Sequence, residues 1–187
     1  MLSNSGQSSF YPANSPNRAI EMSRYRPAPT KSSPYITAAG HEALEKELRY
    51  LWKEKRPEVT KRVAAAAALG DRSENADYIY GKRQLADIDR RIRYLSTRLD
   101  ELTVVDRLPK DMKTIYFGAW VTLEVENGET RLYRIVGPDE FDRQDNYISM
   151  DAPIARSMIG KRIGDSVAVQ IGDAKEKISI IDIHYES

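Results

Sequence analysis

Two acids, Asp71 and Glu74, stand three residues apart in the stretch Gly70-Asp71-Arg72-Ser73-Glu74-Asn75-Ala76-Asp77-Tyr78. Carboxylates about one helical turn apart can together hold a Mg²⁺ ion, a hard cation satisfied by oxygen ligands and water. Two carboxylates are an incomplete set, so further ligands would have to come from another molecule. The same spacing also fits a capping box, in which acids at a helix start favour the exposed N–H groups and the dipole. Spacing by itself leaves both readings open. The two histidines, His41 and His184, lie far apart in the chain, neither in a motif with a nucleophile. With no cysteine in the sequence, disulfides, cysteine-zinc sites and a cysteine nucleophile are excluded.

The elements around the two acids read as a helical hairpin. Thr37 is the expected N-cap of a first helix, with apolar positions at Leu44, Leu48, Leu51, Val59, Val63, Ala66 and Leu69. Pro57 lacks an N–H and predicts a kink near Lys53. Ala64 to Ala68 are consecutive alanines, the strongest helix formers, and Gly70 is the expected C′ residue. In the second helix, Leu85, Ile88, Ile92, Leu95, Leu99 and Leu102 alternate steps of three and four, a coiled-coil seam. Two such helices joined by a few residues must pack antiparallel, with arms of roughly 45–50 Å at 1.5 Å per residue. Asp71 and Glu74 then sit at the tip of a rod. The alanines below them either keep the rod thin or simply serve helix propensity.

Beyond Phe117 the hydrophobic period changes. Trp120–Val125 and Arg131–Val136 read as two strands around an Asn127-Gly128 hairpin turn, with further strands at Tyr147–Met150, Ser166–Ile171 and Lys177–Ile183. Pro153 to Ile159 reads as one short helix ended by Gly160. The fold class is therefore α+β: a long antiparallel coiled-coil hairpin followed by a small antiparallel sheet domain with one helix. The expected divisions are a disordered Ser-, Pro- and Asn-rich extension over 1–33, a hairpin over 34–108 and a β domain over 109–187. Met22, inside the extension, is an alternative start.

Charge is nearly balanced over the 187 residues, at +1, but unevenly spread. Residues 44–102 hold 14 basic and 11 acidic side chains, whereas residues 103–187 hold 11 basic and 15 acidic. The basic hairpin hints at a polyanionic partner. No apolar run is long enough for a signal peptide or a membrane span, so a cytoplasmic protein without a membrane partner is expected.

Several ordered stretches resemble the bacterial transcript-cleavage factors of the GreA/GreB family. They are Tyr50-Leu51-Trp52-Lys53-Glu54-Lys55-Arg56-Pro57-Glu58-Val59-Thr60, Leu69 to Tyr78, and Ile88-Asp89-Arg90-Arg91-Ile92-Arg93-Tyr94-Leu95. Phe117-Gly118-Ala119-Trp120-Val121, Arg134-Ile135-Val136-Gly137 and Ile148 to Gly160 extend the likeness over about Pro34 to Tyr185. Trp52 to Thr60 and Asp71-Arg72-Ser73-Glu74 point to the GreB branch.

The resemblance implies an elongation factor that inserts its hairpin into the secondary channel of RNA polymerase. There it would stimulate the polymerase to cleave the backtracked 3′ end of the nascent RNA, without being a nuclease itself. By motif match, Asp71 and Glu74 are the tip acids that share a Mg²⁺ with the polymerase and position the attacking water. Asp151 and Pro153 match the loop by which the FKBP-like C-terminal domain docks at the channel rim; Ala152 stands between them where the family often has Ser. Lys82, Arg83, Arg90 and Arg91 match a basic patch that holds extruded RNA, though Gln84 and Ala86 stand where more bases are expected. Intrahelical ion pairs such as Asp87 with Arg90 or Arg91 are the competing use of those cations. Tyr78 and Tyr80 suit either base stacking or bracing of the tip. A monomer in contact with polymerase and with the nucleic acid of the elongation complex is implied. The alternative is a channel-binding inhibitor without cleavage activity. A zinc-containing regulator is disfavoured by the lack of cysteine, and a stand-alone hydrolase by the lack of a nucleophile motif.

Overall fold

The computed structural model describes residues 32–69, 74–171 and 174–186. The expected disorder of 1–31, the alternative start at Met22, the C′ role of Gly70 and the geometry of Asp71 lie outside the described residues. Ser33, which composition assigned to the disordered extension, is ordered and hydrogen bonded.

The first arm starts at β1 (Tyr35–Thr37) and runs through α1 (Ala38–Tyr50), a π-helical turn (Leu51–Lys55) and α2 (Arg56–Ala68). Thr37 caps α1 as expected, its hydroxyl oxygen accepting from the Gly40 N–H at 3.0 Å. The expected kink near Lys53 takes the form of the π turn. Pro57 cannot donate to the carbonyl four residues back, and a widened turn makes room for its ring without ending the helix.

The second arm is α3 (Ala76–Glu101), 26 residues and so about 39 Å long, shorter than the sequence estimate. It leads into β2 (Thr103–Val105), which pairs in parallel with β1. Periodicity missed these three-residue strands because they are too short to show a pattern. They tie the two open ends of the hairpin together, with Thr103 N–H donating to the Pro34 carbonyl at 2.7 Å.

The seam forms as read. Val59, Ile88 and Ile92 are buried beside Leu48, Leu51, Val63 and Leu85, and nearer the base Ile36, Leu44 and Leu95 pack against Leu99 and Leu102. The arms approach closely at Gly81, where a Cβ would lie 2.7 Å from Val63 Cγ2. Valine is stiff at χ1, so a larger residue at 81 would push the arms apart.

The C-terminal sheet contains β3 (Trp120–Val125), β4 (Thr130–Val136), β5 (Tyr147–Ser149), β6 (Ser166–Ile171) and β7 (Ala174–His184). Their order is β5-β4-β3-β7-β6. The sheet is mixed rather than antiparallel, because β5 runs parallel to β4. A loop with a short 3-10 turn, Phe141–Arg143, carries the chain back so that β5 enters from the end where β4 began. The single helix, α4 (Pro153–Met158), covers the core of Ile115, Val121, Leu123, Ile135, Ala155, Met158, Ile178 and Ile180.

Candidate functional site

The tip is built from the end of α2 and the start of α3. The N-cap of α3 is Asn75, not Asp71: its side-chain oxygen accepts from the Tyr78 N–H at 3.1 Å. The capping-box expectation for the pair of acids is therefore corrected. Glu74 precedes the cap, is exposed, and makes no hydrogen bond or ion pair among the described residues. The Asn75 side-chain N–H also donates to the Ala66 carbonyl at 2.9 Å, joining the two arms just below the turn. The signal for this cap was present in the sequence, since Asn75 is a favoured N-cap type followed by Asp77 in the first turn. Leu69 and Tyr80 are left exposed near the tip, at 85% and 68%.

At about 100° per residue, Lys82, Arg83, Arg90 and Arg93 fall within about a third of the circumference of α3, away from the seam. All four are exposed. Lys82 and Arg83 pair with no carboxylate among the described residues, whereas Arg90 holds Asp87 at 2.9 Å. Arg91 is turned to the flank and grips Glu47 of the other arm with two bonds of 2.7 and 2.8 Å. The four expected bases thus divide: two free near the tip, one in an intrahelical pair, one spent holding the arms together. Arg93, on the same face as Lys82, was not singled out from the sequence. Ala86 lies in the middle of that face, and Gln84 accepts from Arg62 of α2.

At the other end of the rod the hairpin meets the sheet through a buried polar junction. The Arg98 guanidinium lies 2.8 Å from the Asp139 carboxylate, with side chains only 7% and 4% exposed. Arg98 also donates to the Ser33 carbonyl, and Tyr94 donates its hydroxyl to Asp139. Glu140, 1% exposed, accepts from the N–H groups of Thr37 and Gly137 at 2.9 Å each and from the Thr37 hydroxyl at 2.6 Å. Gly40 is required beside it, because a Cβ there would lie 2.0 Å from a Glu140 oxygen. The pairing of Arg98 with Asp139 and of Thr37 with Glu140 was not readable from the sequence, since a charged residue carries no mark of a partner 41 or 103 residues away.

Asp151 and Pro153 flank the N-terminus of α4. The Asp151 carboxylate accepts from Ser33 N–H at 2.8 Å and from Ser33 Oγ at 2.6 Å, with Arg156 at 3.4 Å. Burial raises its pKa, but the Ser33 bonds and Arg156 together outweigh that and bring it below 3.8. Pro153 is exposed at the first turn of α4, a position where its missing N–H costs nothing. Ala152 is the N-cap residue and offers no side-chain acceptor.

No helix among the described residues is long and apolar enough to cross a membrane. No group of three or more His, Cys, Asp or Glu that could hold a metal occurs among them either.

Residues 34–104 match the family model described as transcription elongation factor, N-terminal, and residues 109–185 match that of the GreA/GreB C-terminal region. A protein of Haemophilus ducreyi named transcription elongation factor GreB is 55% identical over 155 residues, 83% of this chain and 96% of that protein. One of the same name from Pseudomonas aeruginosa is 51% identical, over 88% of this chain and 98% of its own. A solved structure titled transcription factor Gfh1 is 24% identical, covering 83% of this chain and 99% of its own with a TM-score of 0.40, too slight a likeness to bear on function. Both halves of the molecule, the rod and the sheet, are thus accounted for by one lineage: the chain belongs to the GreA/GreB family of transcription elongation factors.

Proposed function

We propose that this factor binds RNA polymerase through its sheet domain and reaches the polymerase active centre with its hairpin tip, through the secondary channel. There it stimulates cleavage of the backtracked 3′ end of the nascent RNA. The observation that carries this reading is the state of Glu74, an exposed carboxylate at the end of a long rod that no described residue engages, with Asn75 capping α3.

Glu74 fits a shared divalent ion: an exposed oxygen donor, with too few neighbours among the described residues for a complete site. Asp71 and Glu74 would hold the Mg²⁺ jointly with polymerase carboxylates. When bound, such a metal stabilises the attacking and leaving oxygens of phosphodiester hydrolysis. The chain's own contribution is placement. The rod carries the Glu74 carboxylate at its end, and Lys82 and Arg83, which pair with no carboxylate among the described residues, attract the phosphates of extruded RNA. Asp151 and Pro153 lie at the opposite end, on the domain that would seat on the channel rim. The factor completes an active centre rather than containing one.

The test uses stalled, backtracked elongation complexes with Mg²⁺ and the full chain. Release of short 3′ RNA fragments, dependent on the factor, is expected. Polymerase that binds the factor and slows without releasing fragments would instead make it a channel-occupying inhibitor.

A further inference from the structure

The tip acids need more than a rod beneath them. Asn75 follows Glu74 directly, and its side chain is the described link across the turn that separates the two arms. Its oxygen accepts from Tyr78, fixing the first turn of α3, while its N–H₂ reaches back nine residues to the Ala66 carbonyl near the end of α2. The Ala66 carbonyl also accepts from the N–H of Leu69, the C-cap of α2, at 3.2 Å, so the Asn75 amide joins the start of α3 to the same oxygen that closes α2. A side-chain amide carries donor and acceptor together. Aspartate has the same shape but no donor, and would set an oxygen against the Ala66 carbonyl. Serine can cap but has no second polar atom to span the arms.

We propose that Asn75 is a positioning residue: its amide staples the arms at the tip and thereby fixes the peptide that carries Glu74. This rests on the cleavage reading given above. Catalytic groups held to within about half an ångström work far better than loosely held ones, so loosening the staple lowers the chemical rate without weakening docking at the distant end.

The experiment compares the full chain with Asn75→Ser and Asn75→Asp. Both keep an oxygen for the Tyr78 cap and lose the donor to Ala66; the aspartate also adds a charge, so agreement between them separates geometry from electrostatics. Fragment release from backtracked polymerase is measured against factor and Mg²⁺ concentration. Nitrogen-15 relaxation of the Glu74 amide is measured in the free factor. The expected result is a maximal cleavage rate lowered about tenfold or more, as for a misplaced catalytic group. The half-saturating factor concentration stays within about twofold, the Mg²⁺ requirement rises, and Glu74 gains fast motion, with Tyr78 still protected from exchange. Cleavage rates within about twofold of the parent, or a loss confined to the half-saturating concentration, overturn the proposal. If the parent itself releases no fragments, the cleavage reading falls instead. The staple is then decided by the Glu74 amide, which must become more mobile in both variants or the proposal fails.

Discussion

The tip and the junction of this molecule use the same side chains in opposite ways. At the junction the Asp139 and Glu140 side chains are almost fully buried; Asp139 accepts from Arg98 and Tyr94, and Glu140 from Thr37 and Gly137. At the tip Glu74 stands in solvent with its oxygens unengaged among the described residues. A buried carboxylate must be paired, because an unpaired one costs several kcal/mol of lost hydration. A carboxylate in water bears no such cost and can be kept for a partner. The lesson is that the acids holding the fold and the acids available for chemistry are separated by burial, not by residue type. At the tip the capping of α3 falls to Asn75, whose side-chain oxygen accepts from the Tyr78 N–H.

The comparison breaks most easily at the junction. Arg98→Ala leaves the Asp139 charge buried without its guanidinium, and about 3–5 kcal/mol of stability should be lost. Urea denaturation would measure it; a loss below 1 kcal/mol would mean the junction is wet and the contrast with the tip is overstated. Glu74→Gln should do the reverse, leaving the unfolding midpoint in place. Its cleavage rate on backtracked polymerase should fall by about a hundredfold, or about 2.7 kcal/mol of barrier. Full activity in that variant would remove Glu74 from the chemistry.

A smaller effect is expected at α4. Ala152→Ser supplies the missing cap acceptor and should stabilise the sheet domain by about 1 kcal/mol, read from thermal unfolding. No gain would show that the start of α4 is already satisfied. The smallest effect concerns pH. Asp151 has a folded pKa below its ordinary value, so the stability it contributes is present above about pH 3.8 and is lost only as pH falls through the lower folded value. The midpoint of the pH titration followed at the Ser33 amide resonance should therefore lie below the ordinary carboxylate value. A midpoint at or above the ordinary carboxylate value would mean that Ser33 does not hold Asp151 in solution.

Much of the rod was legible in the chain. Leu85, Ile88, Ile92 and Leu95 repeat at the helical period and are the residues that line the seam, since burial of one helix face requires that spacing. The Thr37 cap and the Asn127-Gly128 hairpin were equally local, each decided by a few adjacent residues. What could not be read depended on partners distant in sequence. Arg91 was open between gripping RNA and pairing with Asp87, and its guanidinium instead meets Glu47, 44 residues away on the other arm. The bonds from Ser33, 118 residues earlier, to the Asp151 carboxylate were equally invisible in the sequence.

The sequence by itself determined the two-part architecture, the location of the tip and the types of residue placed there, because periodicity and capping act over a few residues. Only the tertiary structure decided which charges remain free. It assigned the cap to Asn75, spent Arg91 and Arg98 on holding elements together, and turned β5 parallel to β4. Each outcome follows from which groups are brought within hydrogen-bonding distance, and that is a property of packing rather than of spacing along the chain.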